Sequence, residues 1–318
     1  HFVIGENKVV DAVCTRSNII VIWNEIHRSQ SAFKAAPDNK LGYFENGVVQ
    51  YMHTAFPNAT HLGITATPIS YVDTDVVFDL YVDKYDMIAA QKDGTNVPIG
   101  YERRLLKFSI EKTEQKSLVN KDVEIFNGSM KILAKDFVKH WELRKEQMEG
   151  KAIFVAFSRH AAVELYNEVI TIKPDWHHPD VDKGKIKVVM SCRVSDPEEF
   201  QPHRTTKTER EIIKNRLKNP DDELEVVIVR DMLLSGFNAP PVHTLYIYKP
   251  MKGFALMQAI TRTSQVWRDK SNGLVVDYIG LQQNFKDAIT QQDTEISDKE
   301  DNSPFYDSAK ALKVLLDT

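Results

Sequence analysis

The sequence predicts an α/β fold built on mainly parallel sheets. Two observations carry that expectation. Short runs of β-branched and apolar residues recur along the chain without polar alternation, as strands covered on both faces do. Between several of them lie helix-like stretches opened by capping residues. Strands alternating with helices at this spacing form parallel sheets joined by helical crossovers. The 318 residues suffice for about two domains, each with its own core.

The elements follow in order. Ile19–Ile22 reads as a strand covered on both faces, with Asn24–Gln30 at its carboxyl end, where open α/β sheets place ligands. Pro37–Gly47 reads as a loop, and His61–Ile64 as a second strand leading into Thr65-Ala66-Thr67-Pro68. Strand-like and helix-like pieces alternate from Tyr71 to Phe108, with a turn at Asp93-Gly94; the charged stretch Glu111–Asn120 is the expected domain boundary. Ala152–Phe157 is a strand, and Ser158 caps a helix running to Ile170. Ile186–Met190 is the next strand, and Thr208 with Glu211 forms a capping box opening a helix to Leu217. Val226–Val229, Leu245–Tyr248 and Leu274–Ile279 are further strands, with a helix at Ala255–Gln265 between the last two. Beyond Gly280 the character turns helical. Ser303-Pro304 opens a final helix with Phe305, Ala309, Leu312 and Leu316 on one face. The expected domains are therefore 1–110, 111–290 and a helical extension at 291–318.

Composition excludes some functions and leaves others open. A net charge of −4 rules out a basic-tail mode of DNA binding but leaves room for a local basic groove. Cys14 and Cys192 match no metal or redox spacing, which suits a reducing, cytoplasmic setting. No apolar run approaches the ~18 residues of a membrane span. The chain opens inside what reads as structured sequence, as an internal piece of a longer protein does. His177-His178 with Asp180 and Asp182 reads as a solvated loop and not a metal site. Pro37-Asp38 and Glu114-Gln115-Lys116 echo a nuclease pattern, but on a loop and a linker where no catalysis is expected.

A buried strand ending in two polar residues, here Asn24 and Glu25, is how many NTPases present a magnesium ligand and a water-activating base. Many strands also end this way as simple caps, and this segment alone leaves both readings open. The surrounding words add more. Asn24-Glu25-Ile26-His27-Arg28-Ser29-Gln30 resembles the Asp-Glu-Ala-His-Arg-Ser-Gln box of type I restriction motor subunits, and Leu62–Ile69 is similar to that family's Gly-Phe-Thr-Gly-Thr-Pro-Ile motif. Lys151–Arg159 with Ala162–Tyr166 resembles its fourth helicase motif, and Arg230–Pro240 its fifth. Lys249–Gly253 with Leu256–Ile260 and Arg262 resembles its sixth, and Gly273–Gly280 completes the series. The blocks stand in family order across most of the chain.

The resemblance implies superfamily 2 helicase architecture: two RecA-like domains, the first incomplete, with mainly parallel sheets and the start of a helical C-terminal region. It implies an ATP-dependent double-stranded DNA translocase working with Mg2+ and with methyltransferase (modification) and specificity subunits. Glu25 matches the residue that handles the attacking water, and His27 the one coupling nucleotide to later motifs. Thr65 and Thr67 match the motif linking hydrolysis to domain movement or DNA. Ser158 and Arg159 open a helix suited to phosphate. Gly236 matches a point of close backbone approach. With Asn24 and Glu25, the residues Gly236, Asn238, Gln258 and Arg262 make up the implied ATP site, Arg262 being one of two arginines reaching across the cleft. A non-catalytic scaffold on the same fold, or another superfamily 2 remodeller, is the alternative.

Three positions depart from the pattern. Asn24 stands where the family has the magnesium-associated aspartate, Gln265 where it has the second arginine, and Asn238 where it has aspartate. Each keeps a polar side chain and removes a charge, so weakened hydrolysis is expected. A weak Mg2+ site at Asn24 and Glu25 goes with it. No Gly-x-x-x-x-Gly-Lys-Ser/Thr loop occurs in the sequence; in the family it lies upstream of the second motif. The stretch by itself is expected to bind ATP poorly.

Overall fold

β-branched and apolar runs do form the strands, and every pairing between strands among the described residues is parallel. The computed structural model describes residues 12–24, 48–64, 82–83, 85, 87–105, 130–290 and 305–307. The chain divides into two compact units, His1–Lys84 with Thr290–Thr294, and Tyr85–Ile289 with Glu295–Thr318.

In the first unit β1 (Ile20–Asn24) pairs in parallel with β2 (Thr60–Ile64), and α1 (Val48–Ala55) precedes β2. The face bearing Trp23 is covered: its indole donates to His61 Nδ1 at 3.0 Å, and His61 stacks on His53 of α1. The other face departs from the expectation of a strand covered on both sides. Ile20 and Ile22 are 68% and 63% exposed, because among the described residues only β2 flanks β1, and a two-stranded ribbon cannot cover both faces.

The second unit is a seven-stranded parallel sheet in the order β5-β6-β4-β7-β8-β3-β9. Its elements are α2 (Met87–Lys92), β3 (Ile99–Arg103), α3 (Met130–Gln147), β4 (Lys151–Ala156), α4 (Arg159–Ile172) and β5 (Ile186–Val189). They continue with α5 (Lys207–Lys218), β6 (Val226–Val229), β7 (Val242–Tyr248), α6 (Gly253–Ile260), β8 (Gly273–Asp277), α7 (Gln282–Thr290) and β9 (Phe305–Asp307). All six residues of β4 are buried. Phe154 faces a core with Phe137, Trp141 and Leu165 from α3 and α4. Its neighbours Ile153 and Val155 face a second core with Ile213, Leu256 and Phe285 from α5, α6 and α7. Two covered faces explain the unbroken apolar run.

Several expectations need correction. β3 pairs residue for residue with β8, Ile99 opposite Gly273, so the unit division falls upstream of the boundary expected at Glu111–Asn120. Phe305 starts no helix; Phe305–Asp307 pairs with β3 as an edge strand, where the ladder's hydrogen bonds outweigh the local proline signal. The capping box sits two residues early: Thr206 Oγ1 accepts from Glu209 N, and Glu209 accepts from Thr206 N. Two overlapping Thr-x-x-Glu words compete here, and the earlier start adds half a turn of helical hydrogen bonds. The helix expected to reach Gln265 stops at Ile260. Beyond it the hydroxyls of Thr261, Thr263 and Ser264 donate to nearby carbonyls, closing tight turns in place of helix. Finally, α3 is an 18-residue helix where none was expected, burying Met130, Leu133, Ala134, Phe137, Val138 and Trp141 at helical spacing.

Charged groups hold the edges. Arg104, just past β3, pairs with Glu102 and forks onto Asp136 of α3, while His140 meets both Glu102 and the Tyr246 hydroxyl. Burial opposes ionisation of Glu102, but the hydrogen bonds from His140 and Arg104 prevail and hold its carboxyl down at about 2. Lys151 is buried and its ammonium donates to the carbonyls of Arg216, Asp222 and Leu224. No helix among the described residues is long and apolar enough to cross a membrane.

Candidate functional site

The polar side chains of the second unit gather beyond the carboxyl ends of β4, β5 and β6, where parallel sheets expose backbone that no strand partner uses. Ser158, two residues past β4, is extended, and its Oγ accepts from Ala161 N at 3.0 Å, so the hydroxyl is spent as the N-cap of α4. Arg159 is not a free solvated charge. Its guanidinium donates to Asp196 Oδ2 at 2.6 Å and Ser191 O at 3.0 Å and lies over the Phe200 ring. Asp196 also accepts from Arg193 N, and these two donors hold its carboxyl below the usual range.

Arg159, Ser191, Arg193, Asp196, Arg230 and Asp231 line a cavity of about 430 Å³ at this edge. Three guanidinium groups against two carboxylates give the lining a positive excess. Arg193 and Arg230 were not singled out from the sequence. Their signal is positional: each comes within a few residues of the end of a buried strand.

The fifth- and sixth-motif residues meet at a neighbouring point. Leu233 (φ 67°) and Gly236 (φ 64°) both take the left-handed conformation, and a Cβ at Gly236 would meet no atom within 4 Å. That open side suits close approach by a ligand. Asn238 is exposed beside it. Arg262 binds the carbonyls of Phe237 and Gln258, which brings Gly236, Asn238, Gln258 and Arg262 into one neighbourhood. Gln265 is placed differently: its backbone bridges to Asn96, and its half-buried side chain has an Oε1 with no hydrogen-bond partner among the described residues. Its backbone thus lies along the Asn96–Val97 segment, where Val97 N donates to Ser264 O.

In the first unit Asn24 closes β1, exposed, with Ile64 as its partner on β2, so the two strands end level. Glu25, His27, Thr65 and Thr67 lie outside the described residues. The described donor at this edge is an amide, whose neutral oxygen offsets none of a divalent cation's charge. Glu25, the other residue of the expected Mg2+ site, lies outside the described residues, and no cluster of three His, Cys, Asp or Glu occurs among those described. In the loop read as solvated, His177 Nδ1 bonds the Tyr166 hydroxyl and His178 Nδ1 accepts from Asp180 N.

Residues 2–131 match the SWI2/SNF2 ATPase family, and residues 197–280 match domain 3 of type I restriction enzyme subunit R. The chain is 41% identical over 305 residues to the type I restriction enzyme HindI endonuclease subunit of Haemophilus influenzae, covering 89% of this chain and 29% of that protein. Among solved structures, a fragment assigned to an HsdR subunit of a type I restriction enzyme from Vibrio vulnificus YJ016 aligns with a TM-score of 0.53 at 17% identity, over 74% of this chain and 42% of that one. The ATP-dependent type ISP restriction-modification enzyme LlaBIII bound to DNA aligns with a TM-score of 0.51 at 11% identity, over 86% of this chain and 20% of that one. These two likenesses show the fold alone, a mixed α/β architecture with mainly parallel sheets. The chain spans between 27% and 36% of the length of the curated relatives it matches.

Proposed function

Because the chain is a homologue of type I restriction enzyme endonuclease subunits over most of its length, we propose that it supplies the downstream part of an ATP-driven double-stranded DNA motor. In this reading the motor uses ATP and Mg2+, works beside methyltransferase and specificity subunits, and hydrolyses ATP weakly. The observation that carries the DNA-binding part is the cavity lined by Arg159, Arg193 and Arg230 at the carboxyl edge of the second sheet. Guanidinium groups fork onto phosphate oxygens, and the Arg159–Asp196 and Arg230–Asp231 pairs are open to water and screened by salt, so phosphate can displace them.

Backbone contacts position a duplex without reading its sequence. Arg159→Ala and Arg230→Ala in the full-length subunit should each weaken DNA binding evenly across unrelated sequences. Each should also reduce the slope of log affinity against log salt by about one. A salt titration by fluorescence anisotropy reads both effects, and an unchanged slope in both variants overturns the assignment.

A second reading, a scaffold that holds DNA without turnover, draws on Asn24, Asn238 and Gln265, the neutral groups at expected charged positions. ATP turnover by the full-length subunit separates the two.

A further inference from the structure

We propose that Lys270 is a positioning residue that locks the Leu233–Val242 segment in its working conformation from behind the site. The inference rests on the reading that this loop meets the nucleotide. Residues 240 and 241 are both proline, so they have no N–H, and this stretch can be tied to the fold only through its carbonyls. All three consecutive carbonyls are held. Lys270 Nζ donates to Pro240 O at 3.3 Å and Val242 O at 2.8 Å, and Lys151 N takes Pro241 O at 2.9 Å. Arg262, eight residues before Lys270, binds Phe237 O further up the same loop. One turn, residues 262–270, thus holds the loop at two points, through the N–H donors of Arg262 and Lys270.

The loop needs gripping. Leu233 carries φ 67° without being glycine, a conformation disfavoured for side-chain-bearing residues that persists only where the surroundings impose it. Lys270 is 5% exposed, and the charged and titratable neighbours acting on it are themselves cationic or basic: Arg144 of α3 and His243 of β7. A lysine kept there is held by carbonyl dipoles, not by a counter-charge. Burial, then Arg144, pushes its ammonium down to about 7. The sign of the pH effect follows. Opening the loop returns Lys270 to water and its ordinary value near 10.5, so above pH 7 opening takes up a proton. Protection of the loop should therefore rise with pH above 7, by up to about tenfold per unit.

Amide hydrogen exchange of the full-length subunit, corrected for intrinsic rates, tests this without ATP or DNA. Failure of the motor reading, which shows as absent turnover, is thereby kept separate. Lys270→Met should lower protection of the Val242 amide, which donates to Ala239 O, by about ten- to hundredfold, leave β4 protected, and abolish the rise above pH 7. Lys270→Arg should restore most of the protection but not the pH dependence, and Lys270→Gln replaces Met should the latter fail to fold. Unchanged loop protection with the same pH profile overturns the proposal. So does an equal loss across β4, which marks Lys270 as merely structural.

Discussion

A full-length subunit carrying Asn24→Asp together with Gln265→Arg is expected to hydrolyse ATP on DNA about 10³ to 10⁵ times faster than the unaltered one, since an arginine finger contributes on that order. The gain is electrostatic. Two unit charges about 4 Å apart interact by ~4 kcal/mol at an effective dielectric near 20, and an amide at position 24 gives up part of that toward a metal. Gln265 sits beside Asn96 with a buried oxygen that accepts nothing, so the residue present there adds no charge and satisfies no partner. Each single reversion should recover part of the rate. Steady-state turnover at saturating duplex DNA reads this directly. Equal rates in the unaltered and doubly altered subunits sink the idea of a weakened cleft.

A large effect on stability is expected of Gly273→Ala. A Cβ there would lie 2.4 Å from Thr263 O and 2.7 Å from Thr263 Oγ1. Neither atom can yield. The carbonyl is backbone, and Thr263 is fully buried with its hydroxyl donating to Ile260 O. Gly273 is itself fixed, its N–H bonded to Pro98 O and its Cα opposite Ile99. Overpacking against backbone should cost about 3 kcal/mol or more. At roughly 2–4 °C per kcal/mol for a unit of this size, the melting transition of the second unit should fall by about 6–12 °C. The same displacement pushes the turn bearing Arg262 and Gln265 outward, so activity should fall further than stability alone predicts. A thermal melt within about 2 °C of the parent contradicts this packing.

Much of the second unit was legible because its signals are local. Ala152–Ala156 is apolar at every position since both faces are covered, and Ser158 followed by helical spacing marks a cap that the structure forms. What escaped was non-local or masked by charge. Nothing near Ile99–Arg103 says that it will pair with residues 273–277, because that pairing closes across more than 170 positions. The apolar stripe of α3 was present in the sequence, but Lys131, Lys135, Asp136, Lys139 and His140 interleave with it and hide the period. At the candidate site, Arg159 was visible through its motif, while its partner Asp196 and the ring of Phe200 come from a separate loop. Lys270 belongs to no motif quoted from the sequence. It becomes meaningful only when the prolines at 240 and 241 are seen to lie against it.

The central claim is that this chain is part of a motor that moves along duplex DNA. Displacement of a third strand from a triplex by the full-length subunit, assembled with its partners and supplied with ATP, tests it most directly. The account predicts ATP-dependent displacement without separation of the duplex strands, slow for the unaltered subunit and fast for Asn24→Asp with Gln265→Arg. Bound DNA with no displacement from either form, or unwinding of the duplex, contradicts it.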